Sequence, residues 1–535
     1  MATQAEEVLQ LFSDEEKADI QGFITSGYGN MIYAAYLFLQ IPDIKAGQAW
    51  LSDLLEIDKK GYQEGSIHIS TARDWVKYKA THSPEDKPRT RLNVAFTYPG
   101  LQAMGLSEDV LCTFSEQFRD GMAGSRTRSN ILGDVGESAP ENWDVGGTNT
   151  REVHVFLALY GEEKTHLDKL VDTQRRLLAT HKVEELHAEE SGRRIGQDSK
   201  FREHFGFRDG LGQPKIRGID DAPGVKTTPS GEFVLGYRDA YDFFPVTPLV
   251  PKDQDPDDIL PDDVNPLHGT QYKDFGRNGS YVAYRKLEQD VAAFWDFIAE
   301  NAKRIDGSST ANPATMVWLA AKCVGRWPSG VPLILSPDKD DLSMEDKDKD
   351  KFDYIEKAGD DSGFACPYGS HVRRSNPRDS LLPKNAQKSY ATSDRHRLLR
   401  RGITYGDPYF DFESLMDVKA GYAGLMGALK IARNGSDDGK RGFHFHPVTA
   451  NIQRQFEFVQ QSWTNNPAFN GLFDNKDPLT GDNDDNPQQA SHMAIPNKSG
   501  LIQTDRLPRF VKVRGGAYLF MPSLTALRYL AKRKK

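Results

Sequence analysis

The stretch Phe510–Leu530 reads FVKVRGGAYLFMPSLTALRYL. Two apolar runs, Phe510 to Val513 and Ala517 to Phe520, flank Arg514-Gly515-Gly516, which is the punctuation of a β-hairpin. Ser523 then stands where an N-cap belongs, ahead of a helix that carries Leu524, Leu527 and Leu530. Similar signals recur upstream. Val153, Val155, Leu157 and Leu159 alternate with His154, Phe156 and Ala158, a strand pattern, and Leu92, Val94 and Phe96 alternate in the same way before Pro99-Gly100. From Leu287 through Val291, Phe294, Trp295 and Ile298 the spacing is that of an amphipathic helix. Strands mixed with helices and hairpins predict an α+β architecture with antiparallel sheets.

Composition narrows the class. The chain has 535 residues, 38% of them hydrophobic and 27% charged, enough to build a large core without disulfides. Its three cysteines, Cys112, Cys323 and Cys366, have no CxxC spacing, so a disulfide framework and a cysteine zinc finger are excluded. A formal charge of -9 disfavours a nucleic-acid partner. Met1 to Gln10 shows neither a basic n-region nor an apolar h-region, so no signal peptide is expected. The longest apolar run, Met31–Leu39, is far short of the roughly 20 residues a spanning helix needs. These features predict a cytoplasmic or otherwise soluble protein with no membrane partner, non-classical export remaining open. Asp253–Asn265 and Asn475–Gln489 read as polar loops. Asp338–Asp353, dense in Asp and Lys, reads as a solvated excursion without function.

The common catalytic signatures GxSxG, HExxH and GxxxxGK[ST] are missing, against serine hydrolase, zinc protease and P-loop chemistry. His444 and His446 would share a strand face and could ligate a metal, but no third ligand lies nearby in sequence, and core packing is the plainer reading. Three further segments carry chemistry: Gly206-Phe207-Arg208-Asp209-Gly210, then CPYGSHVRRSNPR over 366–378, then HRLLRRGITYG over 396–406. Read singly, they are a turn, a structural histidine in a basic loop and a basic cluster before a glycine that could contact a phosphate or a partner.

Together the three segments resemble the dye-decolourising peroxidases, a family of haem enzymes. The similarity extends from Asp19-Ile20-Gln21-Gly22 through Gly325-Arg326-Trp327-Pro328 and Ala450–Phe458 to the end of the chain. It implies two ferredoxin-like halves with antiparallel sheets flanked by helices, residues 15–215 and 275–535 joined by 216–274, with haem b held mainly by the C-terminal half. The implied activity is oxidation of dyes, phenols and other small or bulky aromatic reductants by hydrogen peroxide through a ferryl state.

The same resemblance assigns roles. His371 would be the axial ligand of the haem iron, with Asp477 as its carboxylate partner among several nearby acids: Asp474, Asp482, Asp484 and Asp485. Asp209 would be the distal acid/base and Arg400, rather than the adjacent Arg401, the cation that stabilises charge as the O–O bond breaks. Phe445, ahead of Phe443, would wall the pocket. Tyr405, ahead of Trp463, would relay electrons from the surface, and Arg326 or Arg277 would meet the haem propionates. A haem-handling protein for transport or iron release is the alternative function, and a structural remnant the third. The Asp209, His371 and Arg400 set favours peroxide chemistry over both.

Overall fold

The computed structural model describes residues 12–59, 69–74, 88–193, 196, 199–383, 385–434, 439–483 and 491–533. Met1 to Gln10, Asp484 and Asp485 lie outside them. The first four strands are β1 (Tyr33–Gln40), β2 (Thr90–Phe96), β3 (Val155–Gly161) and β4 (Glu184–Gly192). Helix α1 (Ile44–Lys59) follows β1 and α2 (Lys164–His181) follows β3. Four more strands follow: β5 (Ser280–Gln289), β6 (Leu399–Tyr405), β7 (Gly442–Thr449) and β8 (Val511–Met521). Helix α3 (Val291–Asp306) follows β5, then α4 (Pro313–Val324) and the short α5 (His371–Ser375) precede β6. Two π-helical turns, Gln453–Glu457 and Val459–Thr464, connect β7 towards β8, and α6 (Leu524–Lys532) closes the chain.

The eight strands form one antiparallel sheet ordered β4-β1-β3-β2-β8-β5-β7-β6. Within each set of four the order is fourth, first, third, second, the ferredoxin-like arrangement. The sets join where Phe520 of β8 pairs with Phe96 of β2. At the two outer edges, Thr404 Oγ1 of β6 donates to the Gly192 carbonyl of β4 at 2.7 Å, so the sheet curls into a barrel. Tyr36, Phe156, Tyr160 and Tyr284 fill its interior, while α1, α2 and α6 cover the other face of the first strands with Trp50, Leu170 and Leu527.

Three local expectations are corrected. Arg514-Gly515-Gly516 is not a turn: β8 runs straight through it with a bulge between Val513 and Gly515. The glycines admit a neighbour instead, since a Cβ at Gly516 would lie 2.5 Å from Met122 Sδ and 2.9 Å from the Trp143 ring. Leu287 belongs to β5, not to the helix after it. That helix starts behind Asp290, whose carboxylate caps the Ala293 amide at 3.0 Å. The excursion 338–353 is not solvated throughout: Asp340, Lys349 and Asp353 are buried and Phe352 joins the core. Asp340 accepts from the Ser329 amide, and Lys349 donates to the Ser329 carbonyl and pairs with Asp346 within the excursion. His444 and His446 face the barrel interior among aromatic rings, and among the described residues no three His, Cys, Asp or Glu side chains gather for a metal. Ser523 does cap α6, accepting from the Ala526 amide. No described helix is long and apolar enough to cross a membrane.

Burial pushes the His446 imidazole down to about 3, against the bond between its Nδ1 and the Arg401 carbonyl. An unfolded histidine titrates near 6.5, so the unfolded chain gains protons first as pH falls. The neutral ring's contribution is therefore complete above about pH 6.5 and lost progressively towards pH 3. His446→Phe is expected to flatten the acid-side fall of the urea midpoint between about pH 6.5 and pH 4. A profile unchanged by the substitution would contradict this.

Candidate active site

Strand pleat decides what faces outward. Tyr284 of β5 and His444 and His446 of β7 point into the barrel, so Arg285, Leu287, Phe443 and Phe445 point out. That outer face forms one wall of a cavity of about 730 Å³. The π-helical turns supply another, through Phe456, Val459 and Thr464. A π turn places side chains where an α-helix would not, a feature common at functional sites.

Asp209, Arg400 and His371 all line this cavity. Asp209 ends a tight loop. Its amide donates to the Phe201 carbonyl at 3.0 Å and the Arg208 amide to that of Pro328 at 3.0 Å. Gly206 sits at φ +101°, and a Cβ there would fall 2.2 Å from Leu415, so the loop requires glycine at that point. The Arg208 guanidinium meets Asp346 at 2.9 Å. The excursion read as functionless thus braces this loop, and its Asp350 lines the cavity.

Arg400 lies on β6 opposite Pro447, which has no amide to offer. Its own amide donates to Gln213 Oε1 at 3.0 Å and its guanidinium to the Leu211 carbonyl. Its guanidinium is open to the cavity, and the nearby charges of Asp209 and Asp350 favour its cationic form. Arg401 turns the other way and donates to the carbonyls of Phe23 and Ile24.

His371 opens α5. Its Nδ1 lies 2.9 Å from Oδ2 of Asp477, which is fully buried. The other Asp477 oxygen accepts from the amides of Leu479 and Thr480 at 2.9 Å each. Burial pushes the imidazole down, but the Asp477 charge and hydrogen bond outweigh it and hold His371 above its ordinary value. Asp477 stays low for the converse reason: burial raises it, and His371 and the Thr480 amide more than compensate. Asp474 approaches His492 and Asp482 pairs with Lys476, so neither is the partner of His371. Behind the histidine, fully buried Arg373 pairs with Asp360 at 2.9 Å, and Arg374 donates to carbonyls of Gly369, Trp463 and Asn475. Cys366 is a buried thiol beside Ser370, pushed up by burial.

Other candidates separate. Phe443 and Phe445 line the cavity, as does Arg326, which donates to the Gly330 and Lys349 carbonyls. Arg277 does not. It binds Glu16 and the Gly236 carbonyl and stacks on Tyr237. Tyr405 and Trp463 are 7% and 5% exposed, so neither presents a surface ring. Glu203 and Asp350 are acidic cavity residues that the sequence reading did not single out. The first stands just ahead of the glycine-bounded loop, and the second hid within a charge run.

A family model described as the DyP dimeric alpha+beta barrel domain matches residues 19–194. The chain is 27% identical over 527 residues to dye-decolorizing peroxidase msp1 of Mycetinis scorodonius, covering 95% of this chain and 86% of that protein. It is 28% identical to a dye-decolorizing peroxidase of Mycena epipterygia, covering 84% of this chain and 77% of the other. The solved structure of an ancestral D-type dye decolorizing peroxidase superposes with a TM-score of 0.72 at 26% identity, over 96% of this chain and 98% of that one.

Asp360→Ala would leave Arg373 buried without its carboxylate, at a cost of about 3–5 kcal/mol. Urea unfolding should show that loss. A change below about 1 kcal/mol, the scale of an exposed pair, would contradict it.

Proposed function

Because the chain belongs to the dye-decolourising peroxidases, a family of haem enzymes, we propose that its cavity holds haem b, iron protoporphyrin IX, and that it uses hydrogen peroxide to oxidise dyes, phenols and similar aromatic reductants. The observation that carries this reading is one cavity lined by His371, tied through Nδ1 to Asp477, and by Asp209 and Arg400. We further read residues 15–215 and 275–535 as the two units whose packing makes the site.

The residues present fit the cofactor. With Nδ1 committed to Asp477, Nε2 is the imidazole nitrogen left to ligate iron. Leu287, Phe443 and Phe445 offer an apolar wall to a flat macrocycle. Arg326, Arg378 and Arg397 line the same cavity and suit its carboxylates. When bound, the group supplies an iron that accepts oxidising equivalents from peroxide and passes them to the reductant.

The chain's own residues handle protons and charge. Asp209 takes the proton from one peroxide oxygen and returns it to the other, which leaves as water. Arg400 stabilises the negative charge that develops on the leaving oxygen, at little cost in reorganisation because its backbone and guanidinium are already anchored. Asp477 accepts from His371, fixes its tautomer and makes the imidazole more electron-rich. For reductants too bulky for the cavity, Tyr405 is the relay. Buried 4.8 Å from the His444 ring, it would serve as an internal hop rather than as the point of contact.

Rapid mixing of the haem-loaded protein with one equivalent of peroxide at acidic pH tests the reading. The Soret band should shift and return when dye is added. Asp209→Asn should keep the resting band and slow the shift by about 10²–10⁴-fold. A band that ignores peroxide would favour haem handling, and an unslowed Asp209→Asn would remove Asp209 from its role. Tyr405→Phe should lose turnover of bulky dyes while small phenols are still oxidised; parallel losses would exclude the relay.

A further inference from the structure

We propose that Glu203 is the positioning residue for Asp209. This rests on the reading of Asp209 as the acid/base. Glu203 lines the cavity from inside the loop that Asp209 ends. Its Oε2 accepts from the Phe205 amide at 2.9 Å and its Oε1 from the Phe207 amide at 2.8 Å. Its backbone closes the same loop: the Glu203 amide donates to the Phe207 carbonyl and the Glu203 carbonyl accepts from Gly206. Arg202 and Arg208 bridge across the base. Gln289, at the end of β5, donates through Nε2 to Oε2 of Glu203 at 2.7 Å. The carboxylate therefore does two things at once. It satisfies the two amides that set the loop's curvature, and it ties that loop to the sheet face that walls the cavity.

The chemistry calls for a carboxylate. Three donors converge on the two oxygens, and two of them, the Phe205 and Phe207 amides, can only donate. A glutamine would turn its NH₂ towards one of those N–H groups and forfeit that bond. Stability is a poor reason for such a group. Burial raises Glu203 to about 7, and the nearby charge of Asp209 adds to the rise, against the pull of its three donors. A carboxylate held in the wall against burial and a like charge adds little to folding. What it supplies is geometry, at the first position of the turn that leads to Asp209.

The test compares Glu203→Gln, Glu203→Asp and Asp209→Asn in the haem-loaded protein at about pH 8, above the value of about 7 to which burial raises Glu203, so that the wild-type group is the carboxylate. Stopped-flow follows the peroxide-driven Soret change and the reductant-driven return separately, and hydrogen exchange follows the Phe205 and Phe207 amides. Glu203→Gln should leave the resting Soret band and the reductant step unchanged, and slow the peroxide step by about tenfold to a hundredfold, the scale of misplacing a reacting group by about 1 Å. Exchange at the two amides should rise. Glu203→Asp, which keeps both acceptor oxygens, should recover part of the rate, and serves alone if Glu203→Gln does not fold. A peroxide step within twofold of wild type in Glu203→Gln, while Asp209→Asn is slow, overturns the positioning role. So does a slow step with unchanged exchange at both amides. An Asp209→Asn protein that reacts at the wild-type rate removes the reading beneath the proposal, whatever Glu203 does.

Discussion

The site depends on the pleat of two neighbouring strands. Along β5 and β7 successive side chains must alternate between the barrel and the outer face. His444 and His446 are therefore committed to the interior, and Phe443 and Phe445 to the cavity. A slip of one residue would exchange them, setting two imidazoles in the cavity wall and two phenyl rings beside Tyr284 and Tyr36. Register is held by the buried interior on one side and by barrel closure on the other. The cavity is thus a consequence of how the sheet closes, and the chemistry is attached to that wall by loops.

Those loops converge from distant parts of the chain. The segment bearing Asp209 is braced at residues 326–332 through the Pro328 carbonyl and at 338–353 through Asp346. The segment bearing His371 is braced by Asp360 on one side and by Asp477 on the other. Each brace is a charged or backbone contact with little freedom to relax, and fixed dipoles and charges of this kind do the most in electrostatic catalysis. Arg326, Arg378, Arg400 and Arg401 around the cavity donate to backbone carbonyls, and the first two to Asp350 as well, so their positions are set before any ligand arrives.

Much of the fold could be read locally. β2, β3 and α6 follow from period-two alternation and from a serine N-cap, because those signals are made by near neighbours in the chain. The misreadings all involve distant partners. Gly515-Gly516 looks like a turn until Met122 and Trp143 are seen pressing on it. Leu287 fits a helical spacing by chance and is claimed by β5. The Asp and Lys residues of 338–353 look solvated until Ser329 and Arg208 are placed beside them. For the site, Asp209, His371 and Arg400 came from resemblance, and their meeting in one cavity is a tertiary fact. Glu203 gave no signal, because a glutamate ahead of a turn is ordinary until its carboxylate is seen to accept the turn's own amides.

The central claim is that the imidazole held by Asp477 binds the iron. Electron paramagnetic resonance of the ferric haem-loaded protein tests it most directly, comparing wild type with His371→Gly before and after addition of free imidazole. The wild type should show a nitrogen-ligated ferric signal, which His371→Gly loses and imidazole restores. A His371→Gly signal identical to wild type, with no response to imidazole, would contradict the account.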